Sequence, residues 1–143
     1  MATGQATIEF ITTEGIEEHA ARMGERLFGL LRRIQTQSHN IGDVRGRGLM
    51  LGVEIVNRDE PTELPDCHPS APELASKIQY EALRRGLILE LGGRHNSVVR
   101  FLPPLIVTEE QVDTIAAIFA DAVKAAEQHG VPIERDPDLF PDI

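Results

Sequence analysis

The chain has 143 residues, 41% apolar and 26% charged, which is the balance of one globular domain large enough to bury its own core. Fourteen basic residues against twenty-three acidic ones give a net charge of -9. That argues against nucleic acid or an anionic membrane as partner, because phosphate contacts need clustered positive charge. A single cysteine, Cys67, cannot form an intramolecular disulfide; no apolar run reaches bilayer-spanning length and no basic-then-apolar leader opens the chain, so a reducing cytoplasm is the expected location.

In chain order, Ala6, Ile8, Phe10 and Ile11 form a first apolar segment that reads as helix, interrupted at Thr12-Thr13-Glu14-Gly15, where a break or kink is expected. From Ile16, apolar residues at Ala20, Met23, Leu27, Leu30, Leu31 and Ile34 recur at steps of three and four. This spacing predicts an amphipathic helix ending near Ser38. Over Asp43 to Val56, Leu49, Leu51, Val53 and Ile55 share one side of a strand, while Gly46 and Gly48 supply permissive backbone before it; a central strand or a hairpin fits. Asn57 to Pro69, with Pro61, Pro65 and Pro69, reads as an exposed loop.

Ser70-Ala71-Pro72-Glu73 has the pattern of a capping box opening a helix that turns Leu74, Ile78, Ala82 and Leu83 inward and stops at Arg84-Arg85-Gly86. Leu87 to Leu91 and Val98 to Leu102 are expected strands, joined through Gly92-Gly93 as an antiparallel pair. Thr108-Glu109-Glu110-Gln111 is a second capping box, leading a helix with Val112, Ile115, Ile118, Phe119, Ala122 and Val123 on its core face. After Gly130 the tail is acidic and proline-containing. Together the elements predict an α+β fold, a small antiparallel sheet covered by helices on one face.

The residue with the most chemical content is Arg100, after Val98-Val99 and before Phe101-Leu102-Pro103-Pro104-Leu105. A guanidinium at the end of a short strand is rigidly placed, and its planar fork matches a carboxylate as a lysine ammonium cannot. A structural ion pair within the chain is the competing reading. Gly46-Arg47-Gly48-Leu49-Met50-Leu51-Gly52 is a poor dinucleotide motif, its third glycine one residue late and followed by a strand. The histidines are scattered and supply no metal site; His95, in the Gly92-Gly93-Arg94-His95 loop, is a possible minor ligand contact or an exposed turn residue. No GxSxG or other serine-nucleophile context occurs.

The blocks Val44-Arg45-Gly46-Arg47-Gly48-Leu49-Met50-Leu51-Gly52 and Arg100-Phe101-Leu102-Pro103-Pro104-Leu105, with Arg85-Gly86-Leu87-Ile88-Leu89-Glu90 between them, resemble the C-terminal small domain of class III (subgroup II) pyridoxal-phosphate aminotransferases. The Gly92 to Ser97 lead-in looks closest to the diaminobutyrate-2-oxoglutarate branch. The resemblance runs from about Ala2 to about Gly130. It implies a linking helix over 1–15, the small domain over 16–130 and an acidic tail over 131–143. It also implies a parent enzyme, a homodimer, that moves an amino group between an ω-amino acid such as 2,4-diaminobutyrate and 2-oxoglutarate through pyridoxal 5'-phosphate. By resemblance Arg100 engages a substrate carboxylate, while Arg45 and Arg47 serve turn and domain packing. The chain's two lysines, Lys77 and Lys124, fall within expected helices without the setting of a Schiff-base lysine. The fragment alone is therefore expected to hold no cofactor and to be inactive. A free-standing, non-catalytic binding or regulatory module with the same fold is one alternative, and a fold-only fragment with no independent function is another.

Overall fold

Gly15 divides the N-terminal quarter of the chain into two helices, α1 (Ala2–Thr13) and α2 (Ile16–Gln35). The structure, a computed structural model, describes residues 2–62 and 68–128; the acidic tail, Cys67 and His129 lie outside the described residues. Along α2 the three-and-four spacing resolves into one buried stripe of Met23, Leu27 and Leu31. Helix α1 has no such stripe. Ile8 and Phe10 remain 66% and 52% exposed, and α1 packs on α2.

Helix α2 ends at Gln35, three residues before the expected Ser38. The backbone there tightens into i-to-i−3 bonds, Gln37 N–H to Ile34 O and Ser38 N–H to Gln35 O, and the Ser38 hydroxyl turns away to donate to Glu127. Strands β1 (Ile41–Arg47) and β2 (Met50–Ile55) then form a hairpin with Gly48 at φ 53 in its turn, so the glycine-rich segment is a turn, as its sequence context requires. The turn is pressed against α2. A Cβ on Gly24 would approach the Gly48 backbone to 2.3 Å, so that crossing tolerates no side chain.

Helix α3 (Pro72–Arg84) starts without the expected capping box. Ser70 is drawn instead into an antiparallel bridge with Val56, and the Ala71 N–H donates to Ile55 O at 3.0 Å. The tertiary pairing outcompetes the local cap, and Pro72, which has no N–H to satisfy, begins the helix. Its far end follows the sequence reading: Gly86 at φ 87 closes the helix, with Leu87 N–H bonded to Ala82 O.

Strand β3 (Glu90–Gly92) is shorter than the expected Leu87 to Leu91 run, because Leu87 is held by the helix end and Leu89 O accepts from the Gln79 side chain. A short 3-10 turn (Arg94–Asn96) leads into β4 (Val98–Phe101). The second capping box does form. Thr108 N–H donates to Gln111 Oε1 at 2.9 Å and Gln111 N–H to the Thr108 hydroxyl at 3.2 Å, opening α4 (Glu109–Gln128).

The sheet order is β1-β2-β4-β3, antiparallel throughout. On its inner face Val44, Leu51, Val53, Ile55, Val99 and Phe101 are buried against α2, α3 and α4. Phe101 and Phe119 of α4 meet edge to face with centroids 5.1 Å apart. Each such fully buried side chain contributes roughly 1.5 to 3 kcal/mol. The α+β architecture with helices on one face is the one the sequence predicts, and the opposite face of the sheet is left uncovered.

Candidate functional site on the open sheet face

Strand periodicity sends alternate residues to the open face, and the register places Arg45, Gly52, Arg100 and Glu90 in one row across all four strands. Asp43, Glu54, Val98 and Gly92 make the adjacent row. The face is thus built of arginines and carboxylates around small residues.

Arg45 meets two carboxylates through one nitrogen. Its Nη1 bonds to Glu54 at 2.6 Å and to Asp43 at 3.1 Å, and the hydrogen bond to Glu54, then that to Asp43, hold its charge more firmly than usual against the opposing cost of partial burial. This is a cross-strand structural pair. Arg47, expected in a turn, is the last residue of β1 and pairs with Met50.

Arg100 is held differently. Its Nη2 donates to Glu90 at 3.0 Å and, weakly, to Leu91 O at 3.4 Å. Its Nη1 and Nε make no hydrogen bond among the described residues. The guanidinium lies across Gly92, where a Cβ would stand 2.5 Å from Nε. So the ion pair of the competing reading exists, but it uses one nitrogen and leaves the others open. Beyond Arg100 a cavity of about 490 Å3 is lined by Leu87, Ile88, Glu90, Leu102 and Pro103. It shares Leu87 and the two prolines with a neighbouring cavity of about 520 Å3 that reaches Ile106 and Thr108. Apolar walls with one cation at the rim suit a carbon chain ending in a carboxylate.

His95 does not join this arrangement. It is exposed on the 3-10 turn at φ 60, followed by Asn96 at φ 56. Lys77 is half-buried in α3 and Lys124 exposed in α4, and neither lines these cavities. Among the described residues no group of three His, Cys, Asp or Glu side chains could hold a metal ion, and no helix is long and apolar enough to cross a membrane.

Sequence reasoning missed two neighbours of Arg100. Glu90 and Gly92 are two apart on β3 and therefore share a face, a signal visible once that strand's boundaries are known. It also missed His19, whose Nε2 lies 2.8 Å from Val107 O and ties α2 to the segment that follows the double proline.

Residues 1–123 match the aminotransferase class-III family. The chain belongs to that family. It is 46% identical over 125 residues to a diaminobutyrate-2-oxoglutarate aminotransferase of Rhizobium meliloti, an alignment covering 85% of this chain and 26% of the relative. An alanine/serine racemase of Pyrococcus horikoshii is 39% identical, across 86% of this chain and 24% of that protein. Among solved structures, a phospholyase from Arthrobacter in complex with phosphoethanolamine superposes with a TM-score of 0.78 at 27% identity, covering 87% of this chain and 28% of that one. The chain thus spans about a quarter of the length of these relatives. Class-III aminotransferases are generally pyridoxal-phosphate dependent.

Proposed function

We propose that this chain is the C-terminal small-domain part of a pyridoxal-phosphate transaminase that moves an amino group between an ω-amino acid, 2,4-diaminobutyrate in the first instance, and 2-oxoglutarate. Within it, residues 16–130 are the small domain and α1 is the link to the cofactor-binding part of the parent, where the apolar Ile8 and Phe10 are covered. The observation that carries the reading is the half-used guanidinium of Arg100 at the rim of an apolar cavity, in a chain 46% identical to an enzyme named for that substrate pair.

The part played by this chain is orientation. Arg100 is fixed on β4 by backbone pairing on both sides, so the charge that meets a carboxylate is presented from a rigid strand. Holding the reacting group in one geometry supplies several kcal/mol of the rate advantage. The apolar walls around Ile88 and Leu102 take the substrate's methylenes.

The residues present do not fit a pyridoxal-phosphate site. A Schiff base needs an amine facing the cofactor, and Lys77 and Lys124 stand on helices away from the Arg100 cavity. We assign the anchoring lysine to the rest of the parent, together with the homodimer and a cytoplasmic location. The fragment alone is inactive on this reading.

The 39% identity to a racemase supports one second reading, in which the parent inverts an α-carbon instead of exchanging amino groups. Incubating the full-length protein with L-2,4-diaminobutyrate and 2-oxoglutarate separates the two. Glutamate formation is the expected result; a D-amino acid product with no glutamate overturns the transaminase assignment.

A further inference from the structure

We infer that Gly92 is a positioning residue, a seat without a side chain that sets where the Arg100 guanidinium lies and hence where a carboxylate binds. This rests on the reading of Arg100 as the carboxylate arginine. Gly92 pairs with Val98 in an ordinary strand register and is not among the glycines with positive φ. Its backbone therefore does not require glycine. What requires it is space: a Cβ would come within 2.5 Å of Arg100 Nε, 2.6 Å of Cζ and 2.7 Å of Nη2, the three atoms that define one edge of the fork.

The kind of collision matters. At Gly24 the neighbours are the backbone of Gly48, which cannot move without unfolding the turn. At Gly92 the neighbour is the free end of a long side chain, which yields at little cost to the fold. A methyl group there displaces the guanidinium and leaves the sheet alone. Glu90, on the same face of β3, then defines the other side of the seat by tethering Nη2. Nη2 belongs to both edges through which a guanidinium takes a carboxylate bidentately, so its placement fixes the approach of the ligand.

The test uses the full-length enzyme that contains this chain, with Gly92→Ala, Arg100→Ala and the double variant, assayed with 2-oxoglutarate and with a simple aldehyde acceptor that has no carboxylate. Gly92→Ala is expected to raise KM for 2-oxoglutarate and to lower kcat/KM on the order of tenfold to a hundredfold, as small misplacements of a binding group do. The aldehyde reaction and Tm are expected to hold. Adding Gly92→Ala to Arg100→Ala is expected to cost nothing further, since the group it displaces is gone. Equal losses on both acceptors, a fall in Tm that accounts for the loss, or full additivity in the double variant assigns Gly92 a structural role and overturns the inference. Unchanged kinetics for Gly92→Ala beside an impaired Arg100→Ala overturns it too, but leaves Arg100 as the carboxylate site. Unchanged kinetics for Arg100→Ala removes the underlying reading itself. Should Gly92→Ala fold poorly, recovery of folding in the Arg100→Ala background locates the collision at the guanidinium, and failure to recover overturns the seat.

Discussion

Arg26 and Arg100 are equally exposed, at 42% and 43% of the side chain, and each is paired with a carboxylate, yet they are built for different ends. Arg26 on α2 grips Asp113 on α4 with both Nε and Nη2, at 2.8 and 2.7 Å, and Glu109 stands 3.7 Å away. One whole edge of its fork is consumed within the protein, clasping two helices at the surface. Arg100 spends a single nitrogen on Glu90 and keeps Nη1 and Nε open at the rim of a cavity. Exposure alone therefore does not distinguish a structural arginine from a ligand-binding one.

The largest expected effect sharpens that contrast in catalysis. In the full-length enzyme, Arg100→Ala removes a charge-assisted contact worth roughly 2 to 4 kcal/mol, so kcat/KM falls about thirty-fold to a thousand-fold with little change in Tm. Arg26→Ala leaves kcat/KM in place. A folded Arg100→Ala enzyme with unchanged kcat/KM for both substrates breaks the comparison. Next in size, Arg100→Lys keeps the charge and loses the bidentate geometry, and its kcat/KM is expected to lie between wild type and Arg100→Ala. Recovery to the wild-type rate by lysine shows that charge alone suffices.

The reverse pattern belongs to the helix clasp. Arg26→Ala is expected to lower Tm by a small amount, measured by calorimetry, with substrate kinetics untouched. The pH dependence follows from the same pair: the hydrogen bond from Arg26, opposed by some desolvation and aided by its charge, holds the Asp113 carboxyl below its ordinary range. A depressed carboxyl contributes stability at pH values above its unfolded value, and that contribution is lost as pH falls through the folded one, below about pH 4. Asp113→Asn is expected to flatten this acid limb of the stability curve, and an unchanged limb rules the clasp out as its source. The smallest effect is at Glu90. Its pair with Arg100 is solvent-screened on both sides, so Glu90→Ala changes unfolding free energy by about 0 to 1 kcal/mol in a urea titration. A larger loss makes Arg100 a structural arginine after all.

Sequence periodicity was enough to find β4 with Arg100 on it, the break at Gly15 and the second capping box, because each depends on residues within a few positions of one another. It failed where distant groups compete. Ser70-Ala71-Pro72-Glu73 has the letters of a cap, but Val56, fourteen positions back in the chain, claims Ser70 for a bridge. The Arg26–Asp113 clasp joins residues 87 apart, and no local pattern announces it.

By itself, then, the sequence determined the alternation that puts Arg100 outside and Val99 and Phe101 inside, the amphipathic stripes of α2 and α4, and membership in the class-III family through its arginine-glycine and double-proline blocks. Only the tertiary structure decided which carboxylate each arginine meets and how much of its fork remains. That is set by strand register and helix packing, where a shift of one residue would trade Glu90 for Leu91 beside Arg100 and send the guanidinium's partner to the opposite face.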